Sequence, residues 1–255
     1  MEVRVDGKVA VVTGASRGIG EATARELLAS GVEGMIITGR RAETLEELAA
    51  DLGDRVVPVV GSASDESHVE AAIGTAVDTF GSCDLLVNNA GTNPAGGSIV
   101  DVEMGAIDKT WEVNLRAPLL WVRHAWHASM KDHGGAVVST GSVGGFAPSP
   151  LIGAYNVSKA ALHHLTRQLA HELAPRVRVN AVAAGVVKTR LSELLWSEKE
   201  EATAMTHPLQ RLGTPEDVAK AITFLLSDAA DWMTGVILPI DGGVSGAAPN
   251  LSEDA

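Results

Sequence analysis

Tyr155 and Lys159 stand four residues apart in Tyr155-Asn156-Val157-Ser158-Lys159, a spacing that puts both side chains on one face if the segment is helical. An ammonium then lies beside a phenol. An ordinary tyrosine titrates near pH 10, so acid or base work near neutrality requires lowering that value by about three, or roughly 4 kcal/mol. One cation about 4 Å away contributes about 4 kcal/mol at an effective dielectric of ~20, and a bound cationic cofactor would add to it. The same spacing also suits a tyrosine that opens a helix and a solvated lysine, so its meaning depends on what surrounds it.

An apolar, β-branched run at 8–13 leads into Gly14-Ala15-Ser16-Arg17-Gly18-Ile19-Gly20 and then a helical pattern at 21–30. In this context Gly14 permits the turn, Gly18 the close approach of a pyrophosphate and Gly20 tight helix packing, while the N–H groups that open the helix face the phosphates. A second strand at 34–38 ends in Gly39-Arg40-Arg41, where a dinucleotide-binding fold reads the adenosine ribose. An acidic residue there would favour a free 2′-hydroxyl. The planar guanidinium of Arg40 suits a 2′-phosphate, and Arg17 could reach the same group. Helices at 44–52 and 65–80 and strands at 56–60 and 84–87 continue the alternation, which predicts a parallel sheet with helices on both faces. The fourth strand runs into Asn88-Asn89-Ala90-Gly91, placed where ligands bind in open α/β sheets and where asparagines also form turns.

A long helix is expected over 102–130, carrying Trp111, Trp121 and Trp126 and interrupted by Pro118. The proline removes the N–H owed to the Asn114 carbonyl, which is then open to a water; an ordinary kink without chemistry fits equally. A fifth strand at 135–140 brings Ser142 to its end, where the hydroxyl could hold a substrate oxygen near Tyr155. A helix over 154–174 stops before Pro175, and a strand follows at 177–182. The segment 189–206 sets Leu191, Leu194, Leu195, Trp196 and Met205 among charges, as in a mobile amphipathic lid or a permanent surface helix. Thr214-Pro215-Glu216-Asp217 supplies a cap, a first-turn proline and two acids for a helix to Ser227. A strand at 236–240 and Gly242-Gly243 follow, then a small polar tail from Ser245.

The 255 residues, 45% hydrophobic and 20% charged, suit one α/β domain spanning 1–255 with a lid at about 189–206. No run approaches the ~18 apolar residues of a membrane span and no leader pattern opens the chain, so a cytoplasmic protein without a membrane partner is expected. A net charge of -12 argues against nucleic acid. Cys83 is the sole cysteine, which excludes an intramolecular disulfide or a cysteine-based metal site and suggests inert packing. No metal is expected.

In this order the glycine loop, Asn88-Asn89-Ala90-Gly91, Asn114, Ser142 and Tyr155-x3-Lys159 closely resemble the short-chain dehydrogenase/reductase family, from about Gly7 to Gly243. Arg211-Leu212-Gly213-Thr214-Pro215-Glu216-Asp217 is similar too. The resemblance implies a Rossmann-type doubly wound parallel sheet of about seven strands. It implies that Tyr155 is the acid/base, that Lys159 lowers its pKa and holds the nicotinamide ribose, that Ser142 positions the carbonyl and that Asn114 holds a proton-relay water. The implied cofactor contacts are Gly14, Ser16, Arg17, Gly18, Ile19, Gly20, Arg40, Asn89, Ala90, Gly91, Tyr155 and Lys159, with Ser62-Ala63 beside the adenine and Gly185, Val187 and Thr189 at the carboxamide side. Ser62-Ala63 replaces the family's usual Asp-Val, and Ala184-Gly185 its Pro-Gly.

The resulting expectation is an oxidoreductase that uses NADPH rather than NADH to reduce a ketone reversibly, assembled as a homo-oligomer with a tetramer favoured. The rivals are a 3-oxoacyl carrier-protein reductase and a non-catalytic cofactor-binding regulatory or structural protein. Against the first, the regions that hold docking arginines in the similar fatty-acid-synthesis reductases read His133-Gly134-Gly135 and Ala170-His171-Glu172.

Overall fold

Short apolar strands alternating with helices are forced into parallel pairing, because each crossover helix returns the chain to the same end of the sheet. The computed structural model describes residues 3–246. Its strands are β1 (Val9–Val12), β2 (Gly34–Gly39), β3 (Val56–Val60), β4 (Leu85–Asn88), β5 (Gly135–Ser142), β6 (Val177–Ala184) and β7 (Ile237–Ile240). They form one sheet in the order β3-β2-β1-β4-β5-β6-β7, parallel throughout. The chain steps outward from β1 to β3 and then returns to β4 on the other side of β1. That reversal opens a crevice at the carboxyl ends of β1 and β4.

The helices are α1 (Gly18–Ala29), α2 (Ala42–Leu52), α3 (Glu66–Phe80), α4 (Met104–Trp111), α5 (Ala117–Ala125), α6 (Lys131–His133), α7 (Gly153–Leu173), α8 (Glu200–Met205) and α9 (Pro215–Leu226). Side chains alternate across each strand, so the sheet feeds two cores. Ala10 and Val12 of β1 pack with Leu27 of α1, Leu45 of α2 and Ile222 of α9. Val9 and Val11 pack on the opposite face with Ile73 of α3, Trp121 of α5 and Leu169 of α7. Cys83 is buried in this second core, and burial pushes its thiol up to about 12, which makes it inert at neutral pH.

The long helix expected over 102–130 runs instead from Met104 to His133, with two wide turns, Glu112–Arg116 and Trp126–Met130. In the first, the Ala117 N–H reaches the Glu112 carbonyl five residues back. Pro118 therefore falls in the first turn of α5, where its missing N–H costs little, and the break is a π-type bulge rather than a simple kink. The 189–206 segment is one 3₁₀ turn, Glu193–Leu195, followed by α8. The expected caps are present at α9: the Thr214 hydroxyl accepts from the Asp217 N–H (3.4 Å), and the Asp217 carboxylate accepts from the Thr214 N–H (2.8 Å). Beyond Ser245 and Gly246 the polar tail lies outside the described residues. Among the described residues no helix is long and apolar enough to cross a membrane, and no group of three or more His, Cys, Asp or Glu side chains could hold a metal ion.

Candidate active site

Tyr155 and Lys159 lie on consecutive turns of α7, and the Lys159 Nζ is 5.5 Å from the centre of the Tyr155 ring. Lys159 is 4% exposed, and its ammonium donates to the Thr140 carbonyl on β5 (2.7 Å), with no carboxylate partner among the described residues. Burial lowers its pKa to about 8. The half-buried Tyr155 phenol moves the other way: burial raises it, and a hydrogen bond with Ser142 opposes the rise. Desolvation of the phenolate is the larger cause, and the Lys159 ammonium beside the ring directs a hydrogen bond to the Thr140 carbonyl.

Ser142, the last residue of β5, has its hydroxyl held by the Gly144 N–H (3.1 Å). Behind this turn lies His163, one helical turn beyond Lys159, packed against Phe146 with the rings tilted and their centroids 4.9 Å apart. A Cβ on Gly145 would come within 2.5 Å of the His163 ring, so the turn closes directly over the imidazole.

Asn114 is fully buried within the first π turn. Its side-chain oxygen accepts from the Thr92 N–H (2.8 Å), while its Nδ2 donates to the Thr92 carbonyl (2.9 Å) and the Ser158 hydroxyl (3.0 Å). Ser158 in turn donates to the Tyr155 carbonyl (2.6 Å), so Asn114 locks the loop after β4 to the helix that carries Tyr155. A Cβ on Gly91 would lie 3.6 Å from the Asn114 Oδ1 and 3.8 Å from the Lys159 Nζ, which brings Asn89-Ala90-Gly91 to the same place.

The glycine loop fits a dinucleotide phosphate for concrete reasons. Gly14 has φ +65°, and a Cβ on Gly20 would stand 2.4 Å from the Gly14 carbonyl oxygen, so neither position accepts another residue without movement. Arg17, the N-cap of α1, makes no side-chain cap, which leaves the first N–H groups of the helix to a ligand. Ser16 lies against Gly39, and Ile19 packs on the core below. Arg17 and Arg40 are exposed and form no ion pair among the described residues; burial, then Arg41, Arg190 and Arg40, hold the Arg17 guanidinium below its usual range.

Other expected residues take different places. The Asn89 side chain is a brace: its Nδ2 donates to the carbonyls of Thr13 (3.0 Å) and Gly14 (3.1 Å), and its Oδ1 accepts from Thr140 (3.3 Å). Ala63 and Ala90 line the β1–β4 crevice with Thr13 and Pro118, and the Ala63 carbonyl accepts from the Trp121 indole (2.9 Å). The Ser62 hydroxyl meets that of Ser64 (3.3 Å). Gly185 packs against Asp241, and buried Val187 faces Gly213. Of these last three, Thr189 alone has its side chain at the glycine loop, with its methyl 3.4 Å from where a Gly18 Cβ would be. A hollow of about 450 Å³ beside β7 and the start of α9 contains none of the expected residues.

Sequence reading missed Thr13, Thr92, Thr140 and Ser158. Thr13 is the hub of the crevice, where its hydroxyl accepts from the N–H groups of Asn89 (2.9 Å) and Ala90 (3.0 Å) and donates to the Val87 carbonyl (3.1 Å). No spacing marks such residues, because their partners lie on other strands.

A family model described as enoyl-(acyl carrier protein) reductase matches residues 14–245. The chain is 41% identical over 242 residues to human dehydrogenase/reductase SDR family member 4, covering 92% of this chain and 87% of the relative. It is 36% identical to tropinone reductase-like 3 of Erythroxylum coca, over 94% of each chain. A crystal structure of a short-chain dehydrogenase/reductase, glucose/ribitol dehydrogenase from Brucella melitensis, superposes with a TM-score of 0.90 at 30% identity, over 96% of this chain and 99% of that one. With the Tyr155–Lys159 pair, the Ser142 turn and the glycine loop assembled on a seven-stranded parallel sheet, this chain belongs to the short-chain dehydrogenase/reductase family of oxidoreductases.

Proposed function

We propose that the protein is an NADPH-dependent carbonyl reductase that converts a ketone of small to medium size to a secondary alcohol, and the reverse. The observation that carries this reading is the convergence of Ser142, Tyr155, Lys159 and Asn114 beside a glycine loop whose neighbouring arginines lack carboxylate partners. A bound reduced nicotinamide supplies the hydride. Ser142 holds the carbonyl oxygen, and Tyr155 protonates that oxygen as charge develops on it. Lys159 exchanges its Thr140 carbonyl for the cofactor ribose and acts as the cation beside the phenol. The main-chain carbonyl of Asn114, in the π turn and without an N–H from Pro118, holds the water that resupplies the proton. Arg17 and Arg40 take the 2′-phosphate, as their free guanidinium groups suggest.

One domain with a lid at 189–206 suits this chemistry. Leu191, Leu194 and Leu195 of the lid and Phe146 before Tyr155 are exposed, an apolar set that favours burial of hydrocarbon at about 25 cal/mol per Å². The tropinone reductase name of one relative is in keeping with a small ketone. The carrier-protein reading has the family model's description in its favour, but an acidic carrier approaching a protein of net charge -12 gains little attraction. NADPH depletion over a panel of free ketones, acyl N-acetylcysteamine thioesters and the matching 3-oxoacyl carrier-protein thioester tests the proposal. The highest kcat/KM is expected with a free ketone. A strong preference for the carrier-bound form, lost at high salt, would overturn that substrate class, and no turnover of any carbonyl would favour a non-catalytic role.

A further inference from the structure

We propose that Arg190, at the start of the lid segment, is a ligand for a phosphate of the dinucleotide and couples the order of residues 189–206 to the cofactor's phosphate charge. The inference rests on the dinucleotide reading above and adds a residue and a linkage to it.

Placement comes first. The Thr189 methyl stands 3.4 Å from where a Gly18 Cβ would be, and the Ser16 side chain stands 3.4 Å from where a Gly39 Cβ would be. Arg190, Arg17 and Arg40 each follow one of these packed residues directly, so three separate segments deliver cations to the same loop, and Arg41 is a fourth. All four are exposed, and none makes an ion pair or a side-chain hydrogen bond among the described residues. Arg25 pairs with Glu21 and Asp51, Arg178 donates to the carbonyls of Leu225, Leu226 and Ser227, and Arg211 pairs with Asp217, whereas Arg116, Arg123, Arg167 and Arg176 are also without an ion pair among the described residues; what distinguishes the four is their gathering at one loop. Arg17 titrates below the usual guanidinium range, through burial first and then through Arg41, Arg190 and Arg40. A protein with twelve more acids than bases, 32 against 20, brings four cations together here without an ion pair among the described residues. An anionic ligand relieves that repulsion, and a phosphate monoester alone carries about −1.5 to −2.

The segment that carries Arg190 is tied together by its neighbours. The Thr189 and Ser192 hydroxyls meet at 3.1 Å, the Ser192 hydroxyl donates to the Val187 carbonyl, and the Trp196 indole donates to the Ser192 oxygen (3.2 Å). Lys188 pairs with Glu200 at the start of α8. Residues 187–200 thus form one hydrogen-bonded unit, so a phosphate that holds Arg190 also holds Leu191, Leu194, Leu195 and Trp196.

Hydrogen exchange of amides 191–200 in the full chain reads this coupling, with NADP⁺, NAD⁺, 2′,5′-ADP and ADP as probes. NADP⁺ is expected to slow exchange in the wild type. Arg190→Gln should remove most of that protection and weaken NADP⁺ by roughly ten- to a hundred-fold, as for loss of a charged hydrogen bond, with partial rescue in Arg190→Lys. Protection by 2′,5′-ADP but not ADP assigns Arg190 to the 2′-phosphate, and equal protection by both assigns it to the shared 5′-phosphate side. Wild-type affinity and protection in Arg190→Gln would overturn the inference and leave the cofactor reading intact. A wild type that binds no nicotinamide dinucleotide would overturn both.

Discussion

At the scale of single residues, the site puts a raised phenol beside a buried amine whose pKa is about 8. Neither group alone is tuned for neutral pH; in the proposed mechanism Lys159 favours the phenolate, and a bound oxidised nicotinamide would add a second positive charge. Tyr155→Phe keeps the ring and removes the proton. Its turnover should fall by about 10²- to 10⁴-fold with cofactor binding retained, as measured by kcat and by a fluorescence titration; near-normal kcat would remove Tyr155 from the mechanism. Arg40→Ala should weaken NADPH by roughly ten- to a hundred-fold and leave NADH nearly unchanged. Tighter binding of NADH than NADPH by the wild type would contradict the phosphate assignment.

At the scale of elements, the catalytic turn after β5 and helix α7 meet through His163. The imidazole is 2% exposed, and neither ring nitrogen has a hydrogen-bond partner among the described residues. Burial first, then the cations Lys159 and Arg167, push it down from 6.5 to about 4. Because the unfolded chain takes up the proton near pH 6.5 and the folded one does not, stability is full above that value. It falls as the pH drops from about 6.5 to about 4 and changes no further on this account below that. The loss should approach about 3 kcal/mol at most. Denaturant unfolding at pH 7.5 and pH 4.5 should show it in the wild type and a smaller loss in His163→Leu, which keeps an apolar group of similar bulk under the turn. Equal pH dependence in both proteins would show that His163 is not the cause.

At the scale of the whole molecule, the apolar surface is unevenly spread. Met104, Trp111 and Leu119 on the long helical segment and Val157 on α7 remain exposed, although Trp121 is buried against the sheet. We expect these helices to pair across a two-fold axis in a homo-oligomer, with a tetramer favoured. Light scattering at micromolar concentration should give a multiple of the 26.4 kDa chain mass; the monomer mass alone would refute it. Leu119→Glu and Val157→Glu should then shift the assembly toward smaller species without unfolding it.

Strand and helix order, the glycine loop and the Tyr155–Lys159 pair were legible in the sequence, because period, turn chemistry and short spacing are local properties of a chain. Ser142 was legible as a strand's end for the same reason. The π turn around Asn114 was not, since Pro118 announces a break but not its form, and packing against α7 and the loop after β4 selects it. The direction of the Tyr155 shift also depended on tertiary structure: spacing shows that a cation is near, whereas burial of the phenol, opposed by Ser142, raises its pKa. Thr13, Thr92 and Ser158 became visible only when the ends of β1, β4 and α7 met, and the gathering of Arg17, Arg40, Arg41 and Arg190 likewise joins segments up to 173 residues apart. Charges and hydroxyls carry no trace in the sequence of partners that a fold alone brings within a few ångströms.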